Sequence, residues 1–385
     1  MKKLPTNKTC TACMSCIDAC HKGALKWRIN QDGYFQIEKD QTKCIECGLC
    51  IRKCPLNATE TNNRIAHHAF AVWNGNDEQR QSSASGGAFS ALAATILRQG
   101  GVVYGAALVN FDVKHIRIER ESELYKILGS KYQHSIKEGI YKQIRQDLRN
   151  RRLVLFGGTP CEVAGLKAFL GKDYHEYLFT VDIICGGHST MLPMLSLKRS
   201  GKYKGIRSFR DKQKGWKSIG YKYALKMITT NGDVEDLKLD NYVLNTFSSK
   251  LLKRSSCLDC NFTGMNHKSD CTIGDYWGDV KFKDEHYKGV SILITHNDRI
   301  NKLLNMSDIK KHPVELKAAV KSNENYIWSR YPLIRYFFSR RLALHYMKCD
   351  RFEKANGLMK PYSLSGLVMR IFLKINKLYS FFFTK

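Results

Sequence analysis

Eight cysteines near the N-terminus fall into two runs, Cys10-x2-Cys13-x2-Cys16-x3-Cys20 and Cys44-x2-Cys47-x2-Cys50-x3-Cys54-Pro55. Three thiolates spaced by two residues wrap a loop around one cuboidal 4Fe–4S cluster, and a fourth on the following turn reaches across to a second. Zinc knuckles use two cysteine pairs, not four cysteines in a row, twice. Disulfides need an oxidising compartment, and Met1 to Thr6 leads into no apolar signal segment. The spacing therefore points to metal-bound thiolates in a reducing cytoplasm, and to electron transfer.

The doubled run resembles the bacterial two-cluster ferredoxins. On that precedent one cluster takes Cys10, Cys13, Cys16 and Cys54, and the second takes Cys44, Cys47, Cys50 and Cys20. His21 stands where the second run has Pro55, a residue that shapes the turn and is no ligand. Between the runs, alternating apolar residues on either side of Asp32-Gly33 predict a β-hairpin, an insertion that would cap the first cluster. Polar Asn57 to Arg64 reads as a linker, which sets a first domain at 1–62.

A ferredoxin module accounts for a small part of 385 residues, so most of the chain serves something else. Its formal charge is +28, from 63 basic and 35 acidic residues spread along the chain. Such a field attracts electron-carrier proteins, nucleotides, anionic lipid surfaces or nucleic acid. No recognised nucleic-acid motif accompanies the charge, and no uninterrupted apolar run reaches a membrane-spanning length. Cys-x3-Cys-x2-Cys, the mark of radical chemistry from S-adenosylmethionine, does not occur.

From residue 69 onwards the pattern alternates. A short strand at 69–73 is followed by Ser85-Gly86-Gly87, a helix over 88–97 and a buried strand over 102–108. A Ser/Gly loop opening a helix suits a phosphate, and also simply caps helices. After a basic helix near 137–150, strand 153–156 runs into Gly157-Gly158-Thr159-Pro160-Cys161 and a helix over 162–170. Strand 177–184 runs into Cys185-Gly186-Gly187-His188. Buried strands ending in glycine loops describe an α/β sheet, whose ligands gather at the carboxyl ends of the strands. Residues 205–250 read as alternating strands and turns. By spacing alone Cys161 and Cys185 fit a buried core as readily as a cluster, whereas Cys257-x2-Cys260 is the spacing of metal or redox work.

Ser85-Gly86-Gly87, Ser130-Lys131-Tyr132, Gly158-Thr159-Pro160-Cys161, Asp182-Ile183-Ile184-Cys185-Gly186, Cys257-x2-Cys260 and Asp270-x4-Asp275-x-Trp277-Gly278 occur in that order. Together they resemble the beta-subunit family of coenzyme F420 (deazaflavin) hydrogenases and dehydrogenases, over about residues 5–290. The resemblance implies bound FAD, lined by Ser85, Gly86, Gly87, Ser130, Lys131, Gly158 and Thr159. It also implies a third cluster held by Cys161, Cys185, Cys257 and Cys260. A flavin is the usual converter between one-electron clusters and a two-electron substrate. His188 is the candidate acid beside the flavin, and Asp275 and Trp277 are further site candidates. Cys271 and Cys349 read as structural. Ferredoxin-fused relatives beside genes for surface polysaccharide synthesis suggest a sugar-nucleotide or lipid-linked glycan as acceptor. The alternative is an electron-transfer subunit without flavin that docks to a separate enzyme.

The expected architecture is an α+β ferredoxin-like two-cluster domain followed by an α/β flavin-binding domain at 63–300, with a basic helical region at 301–385. Within 366–383, Arg370, Lys374 and Lys377 fall on one side of a helix whose other faces are apolar. That pattern fits a helix lying on an anionic membrane surface, or one packed on protein.

Overall fold

The computed structural model describes residues 4–58, 68–171, 176–210, 212, 216, 225–237, 242–263, 267–277, 280–320, 323–327, 334, 336–360 and 371. Most of the expected linker and the boundary near 63 lie outside them, as does the 366–383 helix apart from Ile371.

The N-terminal module holds helix α1 (Ser15–Ala19), strands β1 (Leu25–Ile29) and β2 (Phe35–Lys39), and helix α2 (Leu49–Arg52). The predicted hairpin forms, with Leu25 opposite Lys39 and Ile29 opposite Phe35. Gly33 turns its tip at φ +77°, a region open to glycine at little cost. The two cysteine loops repeat each other in backbone as well as sequence. Ala12 and Met14 have φ of 54° and 67°, and Glu46 and Gly48, at the same offsets from Cys44, have φ of 54° and 70°.

Beyond it run β3 (His68–Asn74), α3 (Asp77–Ser82), α4 (Ala88–Arg98), β4 (Val102–Val109), β5 (Asp112–Ile118), β6 (Ser135–Ile136), α5 (Ile140–Arg149), β7 (Val154–Gly158), α6 (Pro160–Leu170), β8 (Leu178–Ile183), α7 (Leu192–Arg199), β9 (Tyr203–Ser208), β10 (Leu225–Thr229), β11 (Val234–Leu237) and α8 (Tyr242–Ser248). Then follow β12 (Cys271–Asp275), β13 (Ser291–Thr295), α9 (Arg299–Met306), β14 (Ile309–Val314), α10 (Leu316–Val320), α11 (Glu324–Ile327), α12 (Phe338–Lys348) and α13 (Phe352–Met359).

Nine strands form one sheet in the order β14-β3-β13-β12-β8-β7-β4-β5-β6. Its centre, β12, β8, β7 and β4, is parallel. Val154, Leu155 and Phe156 are fully buried, as expected of a strand covered on both faces. One face packs on α4 and α9 through Leu92, Ile96, Ile300 and Leu303. The other packs on α5 and α6 through Tyr141, Ile144, Val163 and Leu166. The sheet continues past residue 300, where the sequence reading ended the α/β region, because β14 pairs with β3 at the edge. A small sheet, β11-β10-β9, covers one end, and α8 stands where only strands and turns were expected.

The ferredoxin module is fastened to the α5/α6 face by polar contacts. Gly139, the residue before α5, has no capping side chain, and the Asp18 carboxylate supplies one by accepting from Gly139 N (2.6 Å) and Tyr141 N (2.9 Å). The Tyr141 hydroxyl donates to Cys13 O at 3.0 Å. Arg254, 3% exposed, donates to Cys10 O at 2.8 Å and to Phe35 O. In the middle of α6, Gly165 lets Cys13 approach, since a Cβ there would stand 2.9 Å from Cys13 Sγ.

Gly165→Val is therefore expected to lose about 1–3 kcal/mol of stability by overpacking. It should also lose about four irons per chain, because Cys13 is pushed off its cluster position. Thermal unfolding and iron analysis check this, and a full iron complement would show that Cys13 does not depend on the missing side chain.

Candidate functional site

Cys10, Cys13, Cys16 and Cys54 line one cavity of about 70 Å³, closed over by Leu25, Ile37 and Lys39 of the hairpin. Cys20, Cys44, Cys47 and Cys50 form the second group, close enough that the first three each push the Cys50 thiol up, after burial itself. The partition is the one taken from ferredoxin precedent. Left-handed Ala12 and Glu46 turn their N–H groups toward the preceding thiols, Ala12 N to Cys10 Sγ at 3.3 Å and Glu46 N to Cys44 Sγ at 3.4 Å. Burial drives Cys13 up to about 12, and Cys16 also rises, from burial and then the neighbouring thiols. Iron supplies the positive charge that keeps such sulfurs ionised, so this donor set fits 4Fe–4S clusters.

The structure brings Cys161, Cys185, Cys257 and Cys260 together from three segments. Cys161 opens α6 after β7, Cys185 follows β8, and the pair comes from the loop after α8. Cys161 is raised by burial and by neighbouring Glu162, Cys260 and Cys185, and burial with Cys257 drives Cys260 up to about 11. Three sulfurs accept backbone N–H groups: Cys185 from Gly187 at 3.3 Å, Cys257 from His188 at 3.4 Å and Cys260 from Phe262 at 3.4 Å. Lys253 lies beside them, 3% exposed, with its ammonium on Gly187 O (3.1 Å) and over the Phe247 ring (3.8 Å). Among the described residues no carboxylate pairs with it. Burial pulls it down to about 7, and the anionic groups that oppose this are the thiolates of Cys185 and Cys257. A buried cation whose counter-charge is sulfur suits an anionic metal–thiolate group. Leu56 packs on Cys161 and Cys260 and also lines the first cavity, so the two sulfur sites are neighbours.

Cys185 in turn borders a cavity of about 310 Å³ at the carboxyl ends of β7, β8 and β12. Ser85, Gly87, Ser130, Lys131, Gly158 and Thr159 line it, six of the seven residues expected to hold a flavin. Gly86 does not. It packs behind the wall, donating to Ser291 Oγ at 2.9 Å, where a Cβ would run into Val72 O and Ser291 N. No side chain caps α4, whose N-terminus faces the cavity. Lys131 donates to Leu128 O at 2.7 Å, and burial alone pulls its ammonium down to about 7. Asp275 lines the wall in an ion pair with Arg210 (2.9 Å). Trp277 stacks on Trp216 at 4.8 Å.

His188 stands in the cavity wall with its ring stacked on His134 at 4.1 Å. Burial pulls it down to about 4, opposed by Glu162 and reinforced by Lys137, Lys253 and Arg254. That shift favours the neutral imidazole over the imidazolium. Burial pushes Glu162 up, but the ammonium of fully buried Lys137 at 2.8 Å, with His115 and His188, holds it down to about 2. Cys271 is a core residue in the sheet, at 0% exposure. Cys349, expected to be structural, is exposed at the end of α12. Arg210, Lys253, His134 and the Lys137–Glu162 pair were not legible as site residues, since each is an isolated residue brought in by the fold.

Residues 9–58 match the family model described as a 4Fe-4S dicluster domain, and residues 151–321 match that of the C terminus of the coenzyme F420 hydrogenase/dehydrogenase beta subunit. An uncharacterized ferredoxin of Methanocaldococcus jannaschii is 37% identical over 49 residues, 13% of this chain. The chain spans 62% of that relative's length. A chain of the F420-reducing nickel–iron hydrogenase complex from Methanosarcina barkeri superposes with a TM-score of 0.46 at 16% identity, covering 77% of this chain and 94% of that one. Among the described residues no helix is long and apolar enough to cross a membrane. The chain is an iron–sulfur protein that joins a 4Fe–4S dicluster domain to a region matching the C terminus of the coenzyme F420 hydrogenase/dehydrogenase beta subunit.

Proposed function

We propose that the chain is an iron–sulfur flavoprotein oxidoreductase, in which one-electron clusters communicate with FAD and, through it, with a two-electron substrate. The observation that carries this reading is the adjacency of four groups. The two ferredoxin sulfur sites lead to the group of Cys161, Cys185, Cys257 and Cys260, of which Cys185 borders the large cavity. When bound, a flavin accepts electrons singly and releases them as a pair.

The chain's own residues divide the work. The uncapped start of α4 and the Lys131 ammonium favour an anionic group such as a pyrophosphate. The floor of Phe89, Ala106, Val113, Ile127 and Ile273 excludes water from a ring placed against it. Glycines 157 and 158 leave the β7 end open, since a Cβ at Gly158 would meet Glu162 Oε2 at 3.0 Å. Lys253 offsets the charge of a third cluster. A sugar-nucleotide or lipid-linked glycan as the substrate is carried over from the resemblance to ferredoxin-fused relatives, and surface contact with a membrane through 366–383 from the placing of Arg370, Lys374 and Lys377 along that stretch.

Anaerobic purification followed by iron, acid-labile sulfide and flavin analysis tests the reading. About twelve irons and one FAD per chain are expected. About eight irons without flavin would leave an electron-transfer subunit that serves a separate enzyme.

Lys253→Met should lower the midpoint potential of the third cluster, because the reduced, more negative form loses its nearest cation. The shift expected is on the order of 1–3 kcal/mol, or roughly 40–130 mV for one electron. Lys253→Arg should restore most of it. An EPR-monitored redox titration reads both, and an unchanged potential at full iron content would remove Lys253 from the site's electrostatics.

A further inference from the structure

The two ferredoxin sulfur sites differ in their access to solvent. In the first group Cys13 and Cys54 are 7% and 6% exposed, Cys10 and Cys16 are half-buried and no cysteine is exposed, and Cys161 and Cys260 are 8% and 9% exposed. In the second group Cys47 is exposed, Cys44 and Cys50 are half-buried, and neighbouring Ile45 is an apolar side chain left 57% exposed. Electron transfer between proteins falls off steeply with distance, so an outside carrier reaches the second group first.

The charges around this tip have one net sign. His21, Lys22, Lys39, Lys43 and Arg52 are exposed about it, and the Arg52 guanidinium donates to Cys47 O at 3.1 Å. The opposing acids are Glu46, 3.6 Å from Lys39, and Asp40, 3.9 Å from Lys43. Among the described residues this pairing leaves Lys22 and Arg52 without an acidic partner, on a chain that is itself +28. An apolar centre ringed by cations favours an acidic partner, with charge steering the encounter and Ile45 giving it a dry contact.

We propose that the Ile45–Cys47 tip is the docking port for a small acidic one-electron carrier protein of the ferredoxin class. Each docking event moves one electron between the carrier's cluster and the second cluster of this chain, and no other bond changes. Two events therefore serve each two-electron turnover. The port rests on the redox reading above but uses neither the flavin cavity nor the third sulfur site.

The test uses the full chain with its clusters assembled, and a two-cluster bacterial ferredoxin of net negative charge as the probe. Binding is measured by calorimetry at low and moderate salt, with iron and flavin per chain determined on every sample. Saturable binding that weakens with salt is expected, and Lys22→Glu/Lys43→Glu at full iron should weaken it about tenfold. Ile45→Ser should weaken it without altering the salt dependence. The control Lys302→Glu/Lys310→Glu reverses exposed charges on α9 and β14, away from the ferredoxin module, and should leave binding within about twofold. Unchanged binding in the Lys22/Lys43 variant, or an equal loss in the control, would overturn the port. A flavin-free chain that still binds at this tip would keep the port and sink the flavoprotein reading.

Discussion

Sulfur charge in a low-dielectric interior is the constraint on which the rest of the structure depends. A thiolate taken from water without a counter-charge reverts to a thiol, as the upward push on Cys13, Cys161 and Cys260 expresses. At the ferredoxin cysteines metal provides most of the counter-charge. The protein provides the remainder as N–H groups turned onto sulfur by left-handed residues and as interior cations, Lys253 and Arg254 among them. Interior cations are costly, and a chain keeps them where something anionic stands beside them. The Lys137–Glu162 pair shows the self-contained form, with both partners buried and paired at 2.8 Å.

The same constraint explains how the module is attached. A relay between sulfur sites needs a fixed separation, and a flexible tether would let the clusters drift. The contacts from Asp18 to the start of α5, from Tyr141 to Cys13 O and from Arg254 to Cys10 O all end on or next to a cysteine loop. Gly165 gives up helix propensity, about 1 kcal/mol relative to alanine, so that Cys13 can lie against α6. Stability is spent locally on bringing the first sulfur site up to the sheet.

Legibility in the sequence followed the range of the interactions. The ferredoxin ligands lie within two short loops, so spacing alone was enough. Strands β4, β7 and β8 were visible as apolar runs because both their faces are covered. Cys161 and Cys185 were ambiguous because they meet only when β7 and β8 pair in parallel, Gly158 opposite Asp182. The family motifs resolved what periodicity left open. Lys253 and Arg210 had no local signature, since a lysine or arginine in a chain with 63 of them reads as surface. Helix α8 was missed because Tyr242–Ser248 is rich in β-branched, aromatic and polar residues, and packing on the C-terminal helix α13 overrides that preference. Gly86 was read as a lining residue, and the fold uses it one layer deeper, where two strands leave no room for a side chain.

Access separates the two ends of the path. The second ferredoxin group meets solvent at a cationic tip, and the large cavity opens elsewhere, at the carboxyl edge of the sheet. Cys13 and Cys54 of the first ferredoxin group, with Cys161 and Cys260, lie between them and are buried, while Cys10 and Cys16 are half-buried. A one-electron partner at the tip therefore has no direct contact with whatever occupies the cavity. An occupant of the cavity is likewise shielded from adventitious reductants. Under the function proposed above, electrons would pass through the sulfur sites in order. That ordering would let the cavity handle two-electron chemistry while the outside world delivers one electron at a time.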